Sequence, residues 1–142
     1  MTFVLGYDES AASQAALEVA IDMAARYGES LVVVYGVAPP GSGSGEEYRA
    51  HEAALEEIGL RVCSTALHRA DEVGVHATAE LVPRRPAEAL LAVADDHDAR
   101  MIVVGTHGAS ALKAALMGAT TYRLLHMTSR PVLVVPSPDD EG

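Results

Sequence analysis

Five short apolar runs alternate with longer amphipathic stretches along this chain. Residues 3–7 (FVLGY), 31–37 (LVVVYGV) and 101–104 (MIVV) are largely apolar on consecutive positions. Such runs suit strands buried on both faces, because neither side of the pleat meets water. Residues 76–82 alternate instead, with Ala77, Ala79 and Leu81 apolar, and residues 131–135 (PVLVV) close the series. Between the runs, apolar residues recur at helical spacing. Ser10 predicts an N-cap for a first helix carrying Leu17, Ala20, Ile21 and Ala24, stopped by Gly28. A long second helix is expected over residues 47–72, with Ala54, Leu55, Ile58, Val62, Leu67 and Ala70 as its apolar stripe and Gly74 at its end. Pro86 opens a third helix with Ala89, Leu90, Val93 and Ala94. Residues 119–127 form a fourth, presenting Leu124 and Leu125.

The order β-α-β-α-β-α-β-α-β predicts a three-layer α/β fold. It is an open, parallel, five-stranded sheet with helices on both faces, Rossmann-like in kind. One domain is expected over residues 1–142. Residues 38–46 (APPGSGSGE) read as a flexible loop and the acidic tail 137–142 as frayed. Ligands of such sheets bind beyond the carboxyl ends of the strands, where strand order reverses. Asp8, Gly36 and Gly105 follow or end strands one, two and four. They face one crevice if strands one and four are neighbours.

Charge changes the picture. The chain carries a formal net charge of −10, yet residues 99–138 contain no Asp or Glu and hold Arg100, Lys113, Arg123 and Arg130. That window is +4, which leaves −14 on the remainder. Two readings stand: an anionic ligand is accepted here and repelled elsewhere, or buried strands and helices simply exclude carboxylates. The acidic balance argues against nucleic acid and against an anionic membrane surface. No apolar run approaches the length of a membrane span, and the N-terminus shows no signal-peptide pattern. Cys63 is the single cysteine, so an internal disulfide is impossible and a reducing cytoplasm is the expected compartment.

The candidate chemistry lies in residues 104–118, VGTHGASALKAALMG. Glycines after a buried strand let a ligand approach the backbone closely. A glycine that opens a helix leaves N–H groups facing an anion. The Walker pattern GxxxxGK[ST] is absent, and so is GxGxxG after strand one, where the chain reads GYDES. What remains is Gly105-x2-Gly108-x9-Gly118, with hydroxyls just beyond. None of the six histidines forms a metal pair, and no nucleophile elbow or paired base and nucleophile is visible. Rapid catalysis is therefore not expected.

In these residues the chain resembles the universal stress proteins. The likeness runs from the opening strand and Asp8 with SAASQAAL, through VVVYGV, RPAEALL and IVVGTHG, to Gly118 and the closing PVLVV. The ATP-binding members carry Gly-x2-Gly-x9-Gly followed by Ser or Thr. The resemblance implies an ATP-binding module, with Mg as its companion ion, acting in stress response or signalling through its nucleotide state. It implies that Asp8, beside Gly6, meets the nucleoside; the alternative is that Asp8 caps the first helix. It implies that the backbone of Gly36 and Val37 lines an adenine pocket; the alternative for Gly36 is a small residue demanded by packing. Gly105 and Gly108 match the turn under the phosphates, Gly118 the glycine presenting helix N–H groups, and Thr121 a hydroxyl that donates to a phosphate oxygen. His107 lies inside that turn and faces either phosphate or water.

The chain departs from the pattern at three places. Ala119 stands where Ser or Thr usually follows the third glycine, with Thr120 next to it. Ala109 and Ser110 stand where a basic residue is common, with Lys113 a turn later. Arg84 replaces a common glycine before Arg85-Pro86. A nucleotide-free dimeric interaction protein and a slow nucleotide hydrolase are the alternatives. The resemblance further implies a homodimer, paired through the last strand at residues 131–135.

Overall fold

The computed structural model describes residues 1–36, 45–106 and 118–137, without the side chains of residues 46–48. Val37, residues 38–44, His107, Gly108, Ala109, Ser110, Lys113 and the last five residues lie outside the described residues. The elements are β1 (Thr2–Gly6), α1 (Ala11–Tyr27), β2 (Ser30–Gly36), α2 (Glu46–Val73), β3 (Ala77–Val82), α3 (Pro86–His97), β4 (Met101–Gly105), α4 (Ala119–Met127) and β5 (Val132–Val135). All strands are parallel, in the order β3-β2-β1-β4-β5. The order reverses between β1 and β4, where Val4 pairs with Ile102 and Leu5 with Val103. The crevice expected from the sequence therefore exists.

The pleat divides the core in two. Phe3, Leu5, Leu31, Val33 and Val103 point to the face covered by α1 and α2. Val4, Val32, Val34, Ile102 and Val104 point to the face covered by α3 and α4. Both sets are fully or almost fully buried, which is why β1, β2 and β4 read as unbroken apolar runs. Alanines line α1 on its buried side (Ala12, Ala16, Ala20, Ala24) and bring the helix close to the sheet. Ser10 caps α1 by accepting from the Ser13 N–H at 3.2 Å. Gly28 and Gly74 end α1 and α2 in the left-handed conformation, which costs a glycine nothing.

The long helix differs from the sequence reading. Its buried residues include Val62, Cys63, Ala66 and Ala70, whereas Ala54 and Ile58 are exposed and Leu55 is half-buried. The reason is length. A helix of 28 residues runs about 42 Å, while the six residues of β3 cover about 20 Å. The first described turns of α2 are therefore largely exposed, and contact with the sheet begins at Gly59, which packs against Tyr35 and Leu81. Cys63 is buried at the junction, and burial pushes its thiol up to about 11. Among the described residues no helix is long and apolar enough to cross a membrane.

Candidate functional site

A cleft of about 220 Å³ opens at the carboxyl ends of the strands. β1 contributes Gly6 and the residues after it, Tyr7 and Asp8. β2 contributes Val34, Tyr35 and Gly36, and β4 contributes Val104 and Gly105. Pro86 and Leu90 of α3, Ser13 of α1, and Thr120 and Thr121 of α4 complete the walls. Val34, Leu90, Val104 and Pro86 make an apolar floor suited to a flat ring. Asp8, Ser13 and Thr120 bring polar groups to its sides.

Local bonds fix the β1 end. Asp8 accepts the Ser10 N–H at 3.0 Å, while the Asp8 N–H donates to Ser13 Oγ at 3.2 Å. Ser13 Oγ in turn donates to the Ser10 carbonyl at 3.1 Å. Asp8 thus braces the turn into α1 and lines the cleft at once. Glu9 sits between them at φ 65°, a left-handed conformation that an acidic residue holds at some cost. Tyr7 and Tyr35 flank this turn, and burial raises the phenol of each above its ordinary range, with Glu9 and Asp8 adding to the effect.

The glycines of the cleft are packed tightly. A Cβ on Gly36 would lie 2.8 Å from Ala89 Cβ and 2.9 Å from Pro86 Cα. A Cβ on Gly105 would lie 2.7 Å from the carbonyl carbon and Cβ of Ala12. For Gly36, the packing alternative raised by the sequence has a concrete basis in α3. For Gly105, the missing side chain admits α1 against the end of β4.

α4 starts at the same place. Gly118 is its N-cap, provides no side-chain cap, and donates its N–H to the Thr106 carbonyl at 2.7 Å. The first N–H groups of α4 are left without a capping side chain, and a helix start in that state favours an anion. Ala119 is exposed and lies outside the cleft lining. Thr121 is buried, and its hydroxyl donates to the Gly105 carbonyl at 2.8 Å. The sequence reading gave that hydroxyl to a phosphate; here it ties α4 to the end of β4. Thr121→Val keeps the shape and removes the donor. It is expected to lower the unfolding free energy by about 1–3 kcal/mol with no ligand present, because a buried carbonyl loses its partner. The urea midpoint measures this, and unchanged stability would show that the bond holds nothing.

Of the residues singled out in the sequence, the cleft gathers Gly6, Asp8, Gly36, Gly105, Thr120 and Thr121. Val37, His107 and Gly108 lie outside the described residues. Tyr7, Ser13, Tyr35, Pro86 and Leu90 line the cleft and were not proposed as site residues. A signal for them exists, since each lies within a few positions of a strand end or on the first turns of α1 and α3.

Comparison with known proteins gives a consistent picture. The model of the universal stress protein family matches residues 1–136. A universal stress protein of Thermus aquaticus is 33% identical, over 94% of this chain and 97% of that one. The chain spans less of other relatives: the match takes in 55% of a universal stress protein of Bacillus subtilis and 44% of one from Mycobacterium tuberculosis. Among solved structures, a protein of the universal stress protein family from Burkholderia pseudomallei superposes with a TM-score of 0.76 at 30% identity, over 95% of both chains. A universal stress protein in complex with cAMP superposes with a TM-score of 0.72 at 27% identity, over 96% of this chain and 97% of that one.

Proposed function

The chain belongs to the universal stress protein family, and on that premise we propose that its cleft binds ATP and that nucleotide occupancy sets its state in stress response or signalling. The observation that carries this is the position of the cleft. It lies at the strand-order reversal, with the Asp8 carboxylate on one side and the uncapped start of α4 on the other. The apolar floor takes the adenine, Asp8 accepts from ribose hydroxyls, and the N–H groups of α4 meet the phosphates. Mg enters on the triphosphate. The complex of a structural neighbour with cAMP supports an adenine nucleotide as the ligand class. Turnover is slow or absent in this reading, and the single thiol suits a cytoplasmic setting.

Melting the protein with and without millimolar Mg-ATP tests the reading. A ligand held only by the folded state adds about 2.7 kcal/mol at a hundredfold excess over Kd, enough to raise the midpoint by several degrees. Gly118→Leu, which fills the helix start, is expected to abolish that rise.

A second reading has its own support. Ala119 lacks the usual hydroxyl, and the Thr121 hydroxyl is engaged by Gly105. With both donors gone, the protein works as a nucleotide-free dimeric interaction module. An absent thermal shift favours this reading.

Dimerisation belongs to both readings. β5 is an edge strand whose Val132, Leu133 and Val134 are only half-buried, and such an edge calls for a partner. The partner proposed is the β5 strand of a second copy, across a two-fold axis. Equilibrium sedimentation at micromolar concentration is expected to give the dimer mass; a monomer would refute it.

A further inference from the structure

The arginines of this chain are of two kinds. Five form ion pairs: Arg26 with Asp22, Arg69 with Glu18, Arg100 with Glu29, Arg123 with Glu88, and Arg130 with Asp95 and Asp98. Arg84 and Arg85 form none among the described residues, and both are exposed. Arg49 and Arg61 are also without such a pair, but they stand singly on the exposed flank of α2. Two adjacent cations repel each other, and this chain has 20 carboxylates to 10 basic side chains. An arginine pair with no ion-pair partner among the described residues, on a chain this acidic, is a local feature of opposite sign.

Its place is defined. The pair fills the turn between β3 and α3, where the Arg84 N–H donates to the Val82 carbonyl at 2.7 Å. Arg85 is extended and leads directly into Pro86, which lines the cleft. The Arg84 carbonyl lies 3.1 Å from where a Cβ on Gly36 would stand, and Gly36 lines the cleft as well. The backbone of the pair therefore adjoins the rim on the β2 side, while neither arginine is itself among the residues lining the cleft. The phosphate-facing groups, Gly105 and the start of α4, lie across β1 on the β4 side. β2 and β4 are separated by two strand spacings, about 10 Å.

We propose that Arg84 and Arg85 form a second phosphate-binding point, so that the cleft prefers a nucleotide phosphorylated both at its 5′ end and on its ribose. The inference rests on the nucleotide reading above and narrows it. A guanidinium grips phosphate through paired N–H donors, and two in succession can hold one dianion from both sides. A ligand with phosphates only on the 5′ chain leaves this point unused.

Calorimetric titration of the full chain with AMP, ADP and adenosine 3′,5′-bisphosphate tests it. The wild-type protein is expected to bind the bisphosphate about tenfold or more tightly than AMP, the gain from one added charge-assisted contact. The double variant Arg84→Gln/Arg85→Gln is expected to bring that ratio close to one and to leave the ADP-to-AMP ratio unchanged. ADP carries its extra phosphate on the 5′ chain, so a fall in both ratios would mean a general charge effect and would overturn the proposal. Equal binding of AMP and bisphosphate by the wild type would overturn it too, with the nucleotide reading intact. No binding of AMP, ADP or the bisphosphate, together with no thermal shift from Mg-ATP, would remove the nucleotide reading and the arginine proposal together.

Discussion

Gly105→Ala is expected to destabilise the protein by about 3 kcal/mol, the upper end for overpacking a closed interior. The added methyl would lie 2.7 Å from the Ala12 carbonyl carbon and 2.8 Å from its oxygen, and these are backbone atoms of α1. A flexible side chain could swing away; a helix backbone cannot. Gly105 does not have a positive φ, so alanine suffers no conformational penalty there and the collision is the whole cost. Relief requires α1 to move off β4, at the expense of contacts along Ala12, Ala16 and Ala20. Ala12→Gly should not rescue the variant, because the obstructing carbonyl remains. Urea denaturation of the single and double variants reads the effect. A loss below 1 kcal/mol, or full rescue by Ala12→Gly, would show that α1 yields easily. The experiment also separates two roles of this glycine, since a residue kept only for ligand approach would tolerate alanine without ligand.

Leu90→Ala is expected to cost about 2–5 kcal/mol, the range for deleting a buried leucine side chain. Leu90 is 2% exposed, sits in the core between α3 and the sheet, and forms part of the cleft floor. Its Cδ1 lies 3.1 Å from where a Cβ on Gly6 would be, so it occupies the space that Gly6 leaves open. This neighbourhood gives an internal control. In Leu90→Ala, the further change Gly6→Ala puts a methyl into the new cavity and should recover part of the loss. In the wild-type background the same Gly6→Ala presses on Leu90 and should destabilise modestly. Opposite signs in the two backgrounds are the expected result, and equal signs would contradict the packing described.

Much of the fold was legible because the strands are buried on both faces and the helices carry their own stops. α4 spans residues 119–127 as its pattern predicts, and Ser10 and Gly28 bound α1 as expected. The stripe on α2 held at Val62, Leu67 and Ala70 but misled at Ala54 and Ile58, because periodicity reports which side of a helix is apolar and not how far the sheet extends beneath it. The site was legible in part. Asp8, Gly36 and Gly105 are strand-end residues, and strand order brings them together. What Gly36 and Gly105 touch was not legible, since Ala89 and Ala12 come from other elements. The direction of the Thr121 hydroxyl was hidden for the same reason. A turn of helix offers it solvent, ligand or a carbonyl, and only the docking of α4 on β4 selects Gly105.

The central place of β1 has a consequence for how the chain is made. β1 precedes its neighbour β4 in the chain by β2, α2, β3 and α3, so the two leave the ribosome far apart in time. Until residues 101–105 emerge, one side of the nascent sheet has an unsatisfied edge in its middle rather than at its margin. Pairings this distant in sequence are slow to form. The crevice that would hold a nucleotide is thus completed only once β4 has emerged, and a translation product truncated before residue 101 would lack it altogether.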